Sequence, residues 1–231
     1  MDDGHSFYRG WSFRILIALM LMLSSGLTAC SEQQTATPVP IQSSDPIAIT
    51  DLPVLFQEGF DDPQSGWQRS QQGTLVEGEY LNGEMVLSKT SLVYSEYAYA
   101  RPNLIFDNFI LEADGRWAGG AVGGRYGVMV RYADESDYIV FYIGNDGRYT
   151  LGRMVRGDWV ETYQGFSDSI DRNGGINRFH VEVWGQEIRC FINGQFLGGL
   201  YDTALVPGDI MVAAWLPEGA DTFVAAFDNV V

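Results

Sequence analysis

The sequence predicts an all-β domain built as an antiparallel sandwich of two sheets, and three observations support this prediction. Runs with the two-residue period of a β-strand recur from residue 52 to residue 231. Turn dipeptides such as Asn82-Gly83 and Asn193-Gly194 separate these runs and tolerate the positive φ of tight hairpins. No segment in this region has the periodicity of a helix. About a dozen strands in about 180 residues favour a sandwich over a small barrel.

The central stretch, residues 124–155, shows the strand pattern most clearly. Tyr126, Val128 and Val130 alternate with Gly127, Met129 and Arg131. Residues 138–143 are an unbroken β-branched and aromatic run, and residues 149–155 alternate again. We predict a three-stranded antiparallel meander with aromatic rings on both faces. One face then belongs to the core, and the other forms an aromatic-lined concavity.

Further strands are predicted on both sides of this meander. Residues 73–80 and 83–88 form a hairpin, and residues 176–200 form three strands joined by two tight turns. Other strand-like runs occupy residues 54–62, 91–100, 106–117, 209–217 and 221–231.

Residues 1–29 have the features of a secretory signal. Arg9 and Arg14 precede an apolar run at residues 15–23, which is shorter than the ~20 residues of a transmembrane helix. The following Leu27-Thr28-Ala29-Cys30 resembles the lipobox of bacterial lipoproteins, in which the cysteine is acylated and becomes the new N-terminus. This resemblance implies an exported protein anchored to the extracytoplasmic side of the membrane through Cys30. The alternative is an ordinary signal peptide with a chance cysteine.

Residues 30–51 are rich in Ser, Thr, Gln and Pro, so we expect a flexible tether before a domain at residues 52–231. The net charge of −16 disfavours nucleic acid as a partner, because an acidic surface repels phosphates. Apart from Cys30 the chain has one cysteine, Cys190, so the domain contains no intrachain disulfide. Cys190 alternates with Ile188 and Ile192, which predicts a buried thiol.

Several sequence blocks together resemble the concanavalin A-like lectin/glucanase jelly roll, and they cover almost all of residues 52–231. These blocks are GFDDPQSGW, FILEADGRW, YGVMVRYADESDYIVFYIGNDGRYTLGRMVRGDWV, INRFHVEVWGQEIRCFINGQFLG and AFDNVV. Within that superfamily the chain is most similar to laminin-G-like and DUF1080 (3-keto-disaccharide hydrolase) domains of bacterial lipoproteins. The resemblance implies a jelly-roll fold, but this fold serves lectins, glycosidases and adhesion modules alike.

The catalytic chemistry of this superfamily requires two carboxylates, which the glucanases carry as E-x-D-x-x-E on one strand. Glu112-Ala113-Asp114 matches the first part of that motif, but the third acid is absent. Arg116 shares the face of Glu112 and Asp114, so charge pairing on a polar strand face is the alternative interpretation. His180 is the one histidine after Cys30, and it either lines a cleft or belongs to a polar face.

A structural calcium ion is a further expectation from the resemblance. In related jelly rolls the first and last strands are neighbours and share this ion. Asp61, Asp62 and Asp228 would be the ligands here, since calcium binds six to eight oxygen atoms. Solvated turn aspartates are the alternative.

Aromatic side chains favour sugar binding, because sugars stack on rings while their hydroxyls bond to polar groups. We therefore predict a non-catalytic glycan-binding or adhesion module. The alternatives are a glycoside hydrolase of the DUF1080 type and a scaffold for another envelope protein, and core packing is the other interpretation of the rings. The candidate ligand-binding residues are Arg131, Tyr142, Arg153, Trp159, Trp184 and His180, with Trp117 as a further candidate.

Overall fold

The computed structural model describes residues 41, 45–48, 52–72, 75–92 and 97–231. Within these residues the chain forms strands and no helix, as the sequence predicts. The described residues therefore contain no helix long and apolar enough to cross a membrane. The strands are β1 (Gln68–Arg69), β2 (Gln71–Gln72), β3 (Leu75–Val76), β4 (Gly78–Leu81), β5 (Glu84–Thr90), β6 (Tyr97–Arg101), β7 (Phe109–Gly120), β8 (Arg125–Asp134), β9 (Asp137–Gly144), β10 (Arg148–Val155), β11 (Asp158–Phe166), β12 (Asn177–Trp184), β13 (Glu187–Ile192), β14 (Gln195–Tyr201), β15 (Asp209–Trp215) and β16 (Thr222–Asp228).

Two seven-stranded antiparallel sheets make up the sandwich. Sheet A has the order β1-β6-β15-β8-β9-β10-β11, and sheet B has the order β14-β13-β12-β7-β16-β5-β4. The predicted meander is confirmed as β8-β9-β10 at the centre of sheet A. The two-residue strands β2 and β3 pair separately. The prediction of an antiparallel two-sheet sandwich is therefore confirmed.

Tight turns with positive φ close the predicted hairpins. Asn82-Gly83 joins β4 to β5 with φ values of 55° and 78°, and Asn193-Gly194 joins β13 to β14 with 51° and 80°. Arg156-Gly157 joins β10 to β11 in the same way. Both central residues have positive φ, as in the type I′ turns whose twist matches that of the paired strands.

The core lies between the two sheets and is rich in aromatic rings. Tyr126 and Phe141 of sheet A contact Phe179 of sheet B, with ring centroids 6.0 and 5.8 Å apart. Burial of each such side chain stabilises the fold by about 1.5–3 kcal/mol. Asn177 satisfies the buried Tyr126 hydroxyl with a 2.8 Å hydrogen bond. Cys190 is fully buried, which confirms its prediction.

The N-terminal part of the described chain crosses the outer face of sheet B. Ile41 is buried beside Gly199 of β14, and the Asp45 carbonyl accepts a hydrogen bond from Arg189 of β13. The Ile47 amide donates to Glu182 of β12 at 2.6 Å. The described residues of the predicted tether therefore contact the domain.

Two predicted strands differ in the structure. Residues 54–62 form one bridge, Glu58 to Val230, because the chain bends at Phe60, whose φ is 53°. This bridge nevertheless places the start of the domain beside its end, as the resemblance implies. In the predicted 91–100 strand, β6 begins at Tyr97, and residues 93–96 lie outside the described part of the chain.

Candidate functional site

The outer face of sheet A carries a second apolar cluster, separate from the core. Along β9, Ile139, Phe141 and Ile143 point into the sandwich. The alternating Tyr138, Val140 and Tyr142 point outward. The buried part of this outer cluster is completed by Tyr97, Met129, Met211 and Ala213.

A row of rings crosses this face from β6 to β9. Trp215 of β15 lies between Tyr97 and Tyr142, with centroid distances of 5.5 and 5.2 Å. Tyr132 stacks on Tyr138 at 6.1 Å. Offset contacts of this kind are worth about 0.5–1.5 kcal/mol each beyond area burial, so the rings hold one another in place.

The rings lead into a cleft of about 530 Å³. Trp159 of β11 is 42% exposed and forms one wall. Its indole lies against Gly152, where an added Cβ would be only 2.5 Å from the ring. Glycine at this position therefore lets the indole lie close to the sheet. The lining residues are Gly123, Arg125, Tyr138, Val140, Tyr142, Met154, Trp159, Trp215, Leu216, Pro217 and Glu218.

The polar groups of this cleft are few and well defined. Arg125 donates a 2.8 Å hydrogen bond to the Tyr142 hydroxyl, and its guanidinium lies 5.0 Å from that ring's centroid. Burial, reinforced by nearby Tyr132, Tyr138 and Glu135, raises the pKa of Tyr97 well above its usual range. Burial also raises the pKa of Tyr132. Both phenols stay protonated at physiological pH; they hydrogen-bond each other beside the cleft and do not line it.

Of the predicted ligand-binding residues, Tyr142 and Trp159 line this cleft. Arg131 and Arg153 instead converge on the fully buried Asp202, at 3.3 and 3.1 Å. Arg131 also donates to the Gly185 carbonyl. The two arginines thus belong to a buried ion cluster that joins the sheets.

The other predicted residues lie away from the cleft. His180 lies on the outer face of sheet B, with its ring nitrogens 3.0 Å from Glu112 and 3.2 Å from Glu182. Trp184 is 63% exposed at the end of β12 in the same sheet. Trp117 packs against the core and donates to the Gly119 carbonyl.

Sequence reasoning missed Tyr138, Trp215 and Arg125. The alternation of residues 138–143 already places Tyr138 on the face of Tyr142, so this signal was available. Trp215 follows Tyr138 by a long stretch of chain, and only the pairing of β15 with β8 brings it to this face.

The partial E-x-D motif points away from the cleft. Asp114 pairs with Arg178 at 3.1 Å, and Glu112 lies beside His180. Arg116 forms two hydrogen bonds with Glu84, at 2.8 and 2.6 Å. The strand face carries charge pairs as the alternative interpretation expects, but the partner of Arg116 is Glu84 rather than Glu112 or Asp114.

The predicted calcium ligands are only partly brought together. A Cβ at Gly59 would lie 3.8 Å from an Asp61 oxygen and 4.0 Å from an Asp228 oxygen, so these two carboxylates are neighbours. Asp62 caps its own turn through the Gln64 amide. Burial raises the pKa of Asp228, and the nearby carboxylates of Glu84, Asp114 and Asp61 raise it further. Among the described residues, no three His, Cys, Asp or Glu side chains form a metal-binding group.

Solved structures similar to this chain include two β-glucanases and a carbohydrate-binding module. A prokaryotic β-1,3-1,4-glucanase (lichenase) from a mouse hindgut metagenome has a TM-score of 0.61 at 17% identity, covering 76% of this chain and 96% of that one. The Bacillus licheniformis β-glucanase has a TM-score of 0.58 at 19% identity, covering 76% and 95%. The carbohydrate-binding module CBM66 of Bacillus subtilis has a TM-score of 0.54 at 15% identity, covering 71% and 93%.

The fold is a concanavalin A-like jelly roll. The predicted fold class is confirmed by these neighbours and by the two-sheet architecture. No protein-family model and no curated protein sequence matches the chain. At these identities the likeness extends to the jelly roll and not to its activity.

Proposed function

We propose that this jelly-roll domain binds glycans through the aromatic cleft of sheet A without hydrolysing them. The observation that carries the proposal is the combination of Trp159, Trp215 and Tyr142 along one cleft with neutral phenols beside it. Flat aromatic faces stack on the C–H faces of sugars, and phenols and Arg125 can bond to sugar hydroxyls. The glycan-related names of the structural neighbours support the same ligand class.

The composition of the cleft favours binding over hydrolysis. Glycosidases place two carboxylates about 5–5.5 Å apart for retention or about 6.5–9.5 Å apart for inversion. Glu218 is the one carboxylate among the described residues that line this cleft. Glu112 and Asp114, the two acids of the partial E-x-D motif, lie on β7 in the other sheet. The similarity to laminin-G-like and DUF1080 domains within this superfamily stays a prediction. The hydrolase alternative, which depends on that similarity, stays a prediction as well.

A glycan array probed with the purified protein tests this proposal. We expect retention on a defined set of glycans, with no release of reducing ends on prolonged incubation. Release of reducing ends would favour the hydrolase alternative. Failure to bind any glycan while the protein remains folded would contradict the proposal and favour the scaffold alternative.

A structural calcium ion is part of the proposal, with Asp61 and Asp228 as its carboxylate ligands. Calcium at about ten times a millimolar Kd should stabilise the domain by about 1.4 kcal/mol, because the ion binds only the folded state. Asp228→Ala should abolish this gain in thermal unfolding, whereas Asp62→Ala, which removes only a turn cap, should keep it. If EDTA and calcium give the same melting temperature, the calcium site does not exist.

We also propose that the protein is an extracytoplasmic lipoprotein held to the bacterial membrane through Cys30. The apolar run, the small residues and the cysteine follow one another in lipobox order. The Cys30→Ser variant should lose the acyl chains, which mass spectrometry of the mature N-terminus detects. An unmodified or uncleaved Cys30 in the wild-type chain would contradict the anchor.

A further inference from the structure

An exposed apolar rim surrounds a groove that is lined by residues 52–56, by β7 and Trp184 of sheet B, and by Ile210 of β15 in sheet A. The groove has a volume of about 260 Å³ and runs beneath residues 52–56, with Phe106 and Ile110 in its walls. The apolar rim consists of Leu52, Val54, Leu55 and Trp184. Val54 and Leu55 are 64% and 66% exposed, similar to Trp184. Such a contiguous apolar surface marks an interaction site, unlike single exposed apolar residues.

The groove adjoins β7 and β12 of sheet B, the sheet that the start of the described chain contacts. Ile41 contacts β14, and three strand spacings, about 14 Å, separate β14 from β7 at the groove. Cys30 precedes Ile41 by eleven positions, a length of chain that spans at most about 36–40 Å. A chain anchored at Cys30 is therefore long enough for the rim to reach the surface that holds the anchor.

We propose that the apolar rim docks on the lipid surface to which the chain is anchored. The inference rests on the proposed anchor, because the anchor confines the rim within reach of the bilayer. Aliphatic side chains that enter the acyl boundary beside a tryptophan at headgroup level are the usual composition of an interfacial contact. The groove offers space for apolar groups of the lipid between Leu55 and Trp184.

Charge determines which lipid suits this surface. Glu112 lines the groove, and the exposed Asp107 lies beside the lining Phe106 and Asn108. The whole chain carries −16, so anionic headgroups repel it. Docking therefore depends on burial of the apolar rim in the lipid, and it favours lipids with zwitterionic headgroups. Anionic lipid should weaken the contact, and salt should restore it by screening.

The position of the rim deepens the proposed glycan function. The cleft lies on the outer face of sheet A, and no residue lines both the cleft and the groove. Docking of the rim therefore leaves the cleft uncovered. Glycans in front of the membrane then reach Trp159 without obstruction.

Tryptophan quenching by brominated phosphatidylcholine vesicles tests the docking, with the full chain bound to the vesicles. We expect the quenched fluorescence to fall in Trp184→Phe and to stay unchanged in Trp159→Phe, since Trp159 lies in the cleft. Val54→Ser/Leu55→Ser should reduce the quenching of Trp184. The control Val122→Ser, an exposed residue on the β7–β8 loop, should not.

Vesicle flotation separates this inference from the anchor. Flotation of the wild-type chain without quenching specific to Trp184 would leave the anchor intact and overturn the docking. Flotation of Cys30→Ser with Trp184 quenched would support the docking without the anchor. A dimer in light scattering that dissociates in Val54→Ser/Leu55→Ser, with no quenching by lipid, would assign the rim to a second copy and overturn the proposal.

Discussion

The Trp159→Ala variant will bind its glycan about 10- to 30-fold more weakly than the wild-type protein, because an exposed tryptophan at the centre of a binding surface typically contributes about 1.4–2 kcal/mol. Trp159 is the most exposed ring of the cleft, and its indole lies against Gly152 rather than in the core. The melting temperature should therefore change little. Titration calorimetry with a retained glycan from the array measures the loss.

The Gly152→Ala variant provides a second measurement of how much the position of Trp159 contributes to glycan affinity. Its new Cβ would clash with the indole, so the ring must move away from the sheet while all its atoms remain. We expect a loss of affinity comparable to that of Trp159→Ala. Trp184→Ala is the matched control, since it removes an exposed tryptophan from the opposite sheet. An equal loss in Trp184→Ala, or none in Trp159→Ala, would refute the cleft as the binding site.

The Asp202→Asn variant will be destabilised by about 3–5 kcal/mol, because it leaves two guanidinium groups without their shared buried anion. Asp202 is fully buried between Arg131 and Arg153, and it also accepts hydrogen bonds from the Ala204 and Leu205 amides. For a domain of this size the melting temperature should fall by about 6–20 °C. Urea unfolding measures the change in free energy.

An exposed ion pair supplies the control for this prediction. Arg148 pairs with Asp146 at 3.5 Å on the surface, so Arg148→Ala should change stability by no more than about 1 kcal/mol. The Asp202 result also decides the role of the two arginines. If Asp202→Asn keeps its stability but loses glycan binding, Arg131 and Arg153 are ligand-binding residues after all.

Arg131 shows why strand periodicity alone did not place the candidate residues. Alternation with Val128 and Val130 predicts that Arg131 points outward, on the face of Met129. The structure instead gives Arg131 a φ of 53° at a register shift in the β8–β9 pairing, and this bulge turns the guanidinium toward Asp202. A bulge reverses the face of a residue, and its position depends on the partner strand.

The rings that line the cleft show a similar limit of prediction from local sequence patterns. The sequence predicts separately that Tyr142, Trp159 and Trp215 lie on strands. Their meeting depends on the order β15-β8-β9-β10-β11 within sheet A, which joins segments far apart in the chain. Trp184 has a comparable sequence context, yet its strand pairs with β7 and β13 in the other sheet. Local patterns do not distinguish these two outcomes.

By itself the sequence determined the all-β class, the central meander, the positive-φ hairpins and the buried Cys190, because each depends on local alternation or turn chemistry. Tertiary structure alone decided which rings share the cleft, which arginines are buried with Asp202, and which side carries the apolar rim. These features depend on strand order, register and bulges, which arise from contacts between residues distant in the chain.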